Sequence, residues 1–239
     1  MEVQELIQEK SREIAGGRLR ILLANLAKIG AARGIELRSP TDRVFTDFLN
    51  LQYACQAKAL TNLELTCEIN KAIDPTNDLE ITPALELKLL QGALTKFGLE
   101  PKDKTIFEKI GDHDTVEIYS GEGVQIYRSW SFFKYCSYSL AELLIYDWNT
   151  LYERPASIIN SLFQLAPLLF TPEATTMPYG LPDYVLIERY MDRNRVFNVK
   201  MKLASPLIDK QSGVTSAFIS TSEIKHLALG QPGATLSFI

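Results

Sequence analysis

The apolar residues of this chain keep a helical period up to about residue 110, and at Thr115 the period changes to that of strands before a later helical block. That switch constrains the fold more than any single motif, because helices and strands bury different sets of positions. In the first stretch Ile7, Ile14, Leu19, Leu22, Leu26 and Ile29 recur at spacings of three, four and seven, with one step of five, and Leu23 widens the face. The pattern predicts a helix over 3–29. Gly16-Gly17 is expected to break or bend it, since each glycine costs about 1 kcal/mol in a helix interior. Ser39-Pro40-Thr41-Asp42 reads as a loop and N-cap. Thr41 or Asp42 would accept from the free amides of a helix through Val44, Phe45, Phe48, Leu51 and Leu60. Asp74-Pro75-Thr76-Asn77-Asp78 is a stop signal. A further helix runs from about Thr82 to Phe97, with Gly98 as its left-handed end. A short helical turn over 101–110 ends at Gly111.

After the switch, Val116-Glu117-Ile118 and Val124-Gln125-Ile126 alternate around Ser120-Gly121-Glu122-Gly123, which carries hairpin turn chemistry. A helical block over 131–168 follows, then a proline-rich loop over 171–183. Three strands are expected at 184–191, 196–205 and 214–221, joined through Asp192-Arg193-Asn194 and Asp209-Lys210-Gln211-Ser212-Gly213. In the second of these, Phe197, Val199, Met201 and Leu203 fall on one face and Asn198, Lys200 and Lys202 on the other. The order predicts an antiparallel sheet with helices on one face and the other face free for water or a partner.

Composition narrows the class. Hydrophobic residues are 46 % and charged residues 23 % of the 239, which is enough apolar side chain to order the bulk of the chain. Twenty-five basic against 29 acidic residues give a net charge of −4, which argues against a dedicated nucleic-acid binder. Cys55, Cys67 and Cys136 make an odd set with no Cys-x-x-Cys pair, as in a reducing compartment. No apolar run reaches the ~20 residues of a membrane helix. The expected location is the cytoplasm, with no membrane partner.

Two stretches of the second half carry a family's wording. Phe132 to Leu144 sets an aromatic and a Ser before a Glu-Leu helix, and Asp192 to Phe197 with Ile219 to Ile224 reads as a pair of closing strands. Together with the strand order, these stretches resemble a PAS domain over about 113–223. The resemblance implies a sensory or interaction module that binds a small molecule between sheet and helices, or none, and commonly dimerises. The expected fold is α+β: an all-helical domain over 1–111, then a PAS-like domain over 112–224 with a five-stranded antiparallel sheet and a helical insert, then a tail over 225–239. The expected function is a non-enzymatic cytoplasmic signalling or regulatory protein working as a homodimer through protein–protein contacts. Its alternatives are a small-ligand or cofactor sensor, and a transcription regulator touching DNA through the helical half.

No motif carries catalysis. Asp112-His113-Asp114 has ligand types but points them in alternating directions, so it reads as a solvated linker. No His lies between 114 and 225, which disfavours a histidine-ligated haem in the PAS-like part, although Cys136 or a tyrosine is an iron ligand in principle. Cys136 in Tyr-Cys-Ser lacks the Asn-Cys-Arg setting of the flavin photosensors and reads as a core residue. No cofactor is named by the sequence. His226 has no Gly-x-Ser-x-Gly partner, and the glycine pairs lack phosphate-loop spacing. The aromatics between Tyr127 and Tyr152 admit three readings: core, cavity wall, or partner surface. The cavity reading places Phe133, Leu144, Phe163, Phe197 and Met201 around a small apolar space. The partner reading uses Trp130 and Tyr146, with Leu22, Leu26 and Ile29 pairing the first helix to its copy. Arg18, Arg20, Lys28, Arg33 and Arg38 form a modest basic cluster that reads first as a solvated face.

Overall fold

The computed structural model describes residues 2–76, 79–190 and 195–227, and the side chains of 2–9 and 149 lie outside that description. Four helices open the chain: α1 (Glu2–Ala32), α2 (Asp42–Asn50), α3 (Tyr53–Ile73) and α4 (Pro83–Lys96). The break expected at Gly16-Gly17 does not occur. Gly16 is buried where α2 approaches, and a Cβ there would stand 3.3 Å from Leu49 Cδ2. Tertiary packing thus outweighs the glycine propensity cost. The single helix expected through Leu60 is instead two, α2 and α3. The Gln56 side-chain amide fastens the corner by donating to the carbonyls of Phe48, Leu49 and Leu51 at 3.1–3.2 Å. Thr41 takes the N-cap position of α2 but makes no side-chain capping bond. Thr82 does cap α4, accepting from Leu85 N at 3.2 Å, and Gly98 closes it at φ +67°. Asn77 and Asp78 of the stop signal, the linker 192–194, the Ile7 side chain and the tail beyond 227 lie outside the described residues.

The second half is an antiparallel sheet with a helical insert, so the protein is α+β with its helices N-terminal. The sheet has eight strands where the sequence reading counted five. The expected five are β2 (Asp114–Ser120), β3 (Gln125–Arg128), β6 (Tyr184–Glu188), β7 (Val196–Asp209) and β8 (Thr215–His226). Added to them are β1 (Leu99–Pro101), β4 (Tyr152–Glu153) and β5 (Met177–Pro178). The main path is β3-β2-β8-β7-β6-β4. The long strand β7 explains two of the extra pieces: β8 covers one of its edges, and β6, β5 and β1 share the other in succession, while β4 pairs with the far edge of β6. Between β3 and β6 the insert is broken into short pieces rather than one block. They are a 3-10 turn at Trp130–Lys134, α6 (Leu140–Ile145), α7 (Trp148–Leu151), α8 (Ala156–Leu165) and a 3-10 turn at Ala166–Phe170.

A bulge decides which side chains face where. Met201 pairs with Ser222 but Leu203 pairs with Thr221, so Lys202 is the extra residue. Phe197, Val199 and Met201 therefore keep the insert side, while Leu203 moves to the opposite face. The sequence alternation placed all four together, and the bulge corrects it. Nor is that opposite face free. Leu90 and Leu94 of α4 and Ile106 of α5 (Ile106–Lys109) cover it, against Val116, Ile118, Leu207 and Ile219. Lys202 ties the bulge down, donating to both carboxylate oxygens of buried Asp114 at 2.8 and 2.7 Å. Asp114 is thereby occupied, and the Asp112-His113-Asp114 triplet is no cluster.

The largest apolar cluster runs through both halves, joining Leu19, Leu26, Phe48 and Leu63 to Trp130, Phe133 and Tyr152. Each such side chain contributes roughly 1.5–3 kcal/mol by leaving water. This corrects the partner surface read from the sequence. Leu26, Ile29 and Trp130 are buried in the chain's own core, and Leu22 packs against it. Tyr146 donates its hydroxyl to Asp47 and sets its ring 4.3 Å from Tyr190. The basic cluster also disperses: Arg18 pairs with Glu64, Arg20 lies over Phe45, and Arg33 is fully buried.

Gly30 is the tightest glycine, since a Cβ there would meet the Ile35 carbonyl oxygen at 2.8 Å and Trp130 at 3.3 Å. Gly30→Ala should lower stability by about 1–3 kcal/mol through overpacking. Gly17→Ala, with nothing within 4 Å of the new methyl, should raise it by up to about 1 kcal/mol. Urea unfolding of the two variants checks both signs.

Candidate functional site

A cavity of about 280 Å³ lies between the insert-facing side of the sheet and the helix α8. The alternation of β2, β6, β7 and β8 builds its floor from Glu117, Tyr119, Tyr184, Leu186, Val199, Met201 and Phe218. Ile159, Leu162 and Phe163 of α8 roof it, and Phe132, Trp148 and Arg154 close one end. Its volume is near twice the ~150 Å³ apolar cavity that admits benzene. A hollow of about 410 Å³ beside Arg38, Lys134 and Arg195 is larger, but its walls are mainly polar. The described residues hold no cluster of three or more His, Cys, Asp or Glu that could bind a metal. Neither His113 nor His226 lines the cavity.

Two charged side chains, Glu117 and Arg154, line the cavity. Glu117 accepts from Gln125 Nε2 at 2.8 Å and from the Tyr119 hydroxyl at 2.9 Å. Arg128, which lines a separate crevice beside α3 rather than this cavity, stands 3.1 Å from Glu117, close enough for ion pairing. The pair is misaligned for hydrogen bonding, so Nε, Nη1 and Nη2 of Arg128 are buried without an acceptor. Arg154 is in the same position at Nε and Nη2, and no ion pair answers it among the described residues. Both guanidiniums lie against Trp148, Arg128 at 5.0 Å and Arg154 at 4.9 Å from the ring centroid, and Arg128 also lies 4.0 Å from that of Phe132. Burial pushes the Tyr184 hydroxyl up to about 12, partly countered by Arg154. Burial also pushes Tyr119 and Tyr179 well above the usual tyrosine range. All three phenols are therefore neutral hydrogen-bonding groups at pH 7.

The expected pocket residues divide among three places. Phe163 and Met201 meet on this cavity, with Phe163 70 % exposed at its mouth. Phe133 and Leu144 line a separate crevice of about 60 Å³ beside α3. Phe197 is solid core, its ring 5.3 Å from that of His226. The sequence reading missed Glu117, Arg128 and Arg154. Glu117 read as the outward residue of an alternating strand. That signal is ambiguous, because both faces of this sheet are covered.

The segment 132–144 is anchored from behind the cavity. Glu188, fully buried at the end of β6, accepts from Ser137 N at 2.7 Å and from the Ser137 hydroxyl. Tyr138 donates to the Leu151 carbonyl at 2.6 Å and accepts from Tyr190 N at 2.8 Å. Ser139 caps α6 in a reciprocal box with Glu142. Cys136 Sγ lies 3.1 Å from the Tyr152 hydroxyl, and burial pushes its thiol up to about 12. No family model matches the chain, and no curated protein or solved structure matches it either.

Two outcomes follow from these environments. Cys55 is exposed, Cys67 is half-buried with its thiol pushed up to about 11, and Cys136 is buried. A thiol-exchange reagent should modify Cys55 rapidly, and Cys67 and Cys136 only as the chain unfolds. Fast reaction at Cys136 would contradict its burial. Burial raises the Glu188 carboxyl above its ordinary value, against the opposing pull of Ser137. A raised carboxyl favours the folded state most when protonated. Its contribution falls as pH climbs from the ordinary carboxylate range through the raised value, then stays flat. Glu188→Gln should therefore shrink the stability difference between pH 4.5 and pH 7, read from urea midpoints at each pH.

Proposed function

We propose that this protein is a non-enzymatic, PAS-like sensory module that holds a small molecule between its sheet and helical insert. The observation that carries the reading is the cavity of about 280 Å³. Its lining is mostly apolar with a few polar groups, Glu117 and Arg154 among them, the usual make-up of a small-molecule site. The order of the five longest strands supports the family reading: β2 and β3, a helical insert, then β6, β7 and β8, with the cavity on the insert side. Occupancy would be reported through the turn at Trp130–Lys134, which contributes Phe132 to the cavity and Trp130 to the core shared with the helical half. Action as a homodimer is a second reading. One feature favours it: Ile14 and Ile21, two helical turns apart on α1, are 61 % and 63 % exposed.

The test is saturation-transfer NMR of the full chain with a library of neutral and charged aromatic fragments, repeated on Met201→Trp. The larger ring would fill the cavity floor without disturbing the sheet pairing. Fragments that bind the wild-type chain and lose at least tenfold affinity for Met201→Trp support the reading. A library with no hit sensitive to that substitution sinks it.

A further inference from the structure

The cavity carries an unbalanced charge. Arg128 is offset by Glu117 at 3.1 Å, while Arg154 has no acidic partner among the described residues. A guanidinium cannot shed its proton at any physiological pH, so a buried one keeps its charge and its demand for acceptors. Two donors of Arg154 are buried with that demand unmet, and Arg154 lines the cavity. The missing partner is one negative charge carrying at least two acceptor atoms in a plane. A carboxylate has that shape and meets a guanidinium through parallel hydrogen bonds.

The rest of the cavity defines the remainder of the molecule. Next to Arg154 stands the Trp148 ring, a flat face suited to stacking. Beyond them the walls include Leu186, Val199, Met201, Ile159 and Leu162, the neutral phenols of Tyr119, Tyr179 and Tyr184, and the Glu117 carboxylate, which Arg128, Gln125 and Tyr119 already answer. A space near twice that of the benzene-sized cavity takes on the order of a dozen non-hydrogen atoms. A phosphate or a dicarboxylate would bring more charge than Arg154 alone answers. We propose that the ligand is an organic monocarboxylate with an apolar, flat or flexible body, its carboxylate seated on Arg154 and its body against Met201 and Leu186. This rests on the small-molecule reading above and specifies the ligand's chemistry.

The probe is 2-naphthoate, compared with 2-naphthamide, which has the same shape without the charge. Titration calorimetry of the full chain should give naphthoate at least a tenfold tighter Kd than the amide. Arg154→Gln should abolish that preference, bringing the Kd values of acid and amide within about twofold of each other in that variant. Arg154→Lys should restore part of it, because the charge returns without the planar fork. Acid and amide binding the wild-type chain equally, both weakened by Met201→Trp, would overturn the carboxylate assignment and leave the sensory reading standing. An acid preference that survives in folded Arg154→Gln would overturn the role of Arg154. No binding of either probe at millimolar concentration would overturn the monocarboxylate assignment, while the fragment screen decides the cavity itself.

Discussion

The Arg33 side chain has no contact with water, so its charge is answered from within the protein. It lies just after the last turn of α1, bonded to Asn70 and 3.5 Å from Asp74 at the end of α3. Burial works against the Asp74 carboxylate. The donors Leu79 N, Thr76 and Arg33 outweigh it and hold the group below its usual range. The guanidinium also sits 5.3 Å from the centre of the Trp130 ring. Nearby, Glu86 of α4 accepts from the backbone amides of Trp130 and Ser131 at 3.1 and 2.6 Å. One buried cation and the half-buried Glu86 carboxylate thus pin the entry of the insert to three helices of the first half. Removing one member of the buried Arg33–Asp74 pair costs roughly 3–5 kcal/mol, because the other is left charged and unanswered. Phe132, two residues past Trp130, inherits its position at the cavity wall from this joint.

The sheet depends on the joint in a second way. Because α4 is fixed through Glu86, its Leu90 and Leu94 lie on the face opposite the insert. A sheet covered on both sides cannot follow simple alternation along its whole length. The bulge at Lys202 resolves the conflict, since β7 serves the cavity before it and the α4 side after it. The Asp114–Lys202 pair fixes the bulge. The cavity floor is the part of β7 that precedes this turnover.

What the sequence made legible was local. Thr82 and Gly98 bracket α4 as their chemistry requires, and Ser120 to Gly123 turns the β2–β3 hairpin with Gly123 at φ +76°. The five principal strands were visible because each carries its own apolar period. The three short strands were not, because two or three residues hold no period, and they exist only where β7 (for β1 and β5) or β6 (for β4) offers an open edge. Leu203 was misplaced because a bulge depends on a partner strand and leaves no mark in one strand's text. Of the expected cavity residues, Phe163 and Met201 meet, while Phe133 and Leu144 face the crevice beside α3. The site's charged end was illegible for the same reason. Arg128 and Arg154 are 26 positions apart, and only the folded insert brings both to Trp148.

On the proposed reading, the half-buried Arg154 guanidinium, with Nε and Nη2 buried and unpaired, makes the ligand-free form the costlier of two states. A ligand shifts a conformational equilibrium only by the difference in its affinity for the two forms. A carboxylate on Arg154 would interact strongly with the form that buries those donors and weakly with any form that exposes them to water. The groups that would feel the difference are already joined. Arg154 and Arg128 share Trp148, Arg128 lies over Phe132, and Phe132 follows the Trp130 turn held by Glu86 and Arg33. On the proposed reading, charge neutralisation in the cavity tightens one end of this chain of contacts, and the packing of the helical half against the insert is the other end.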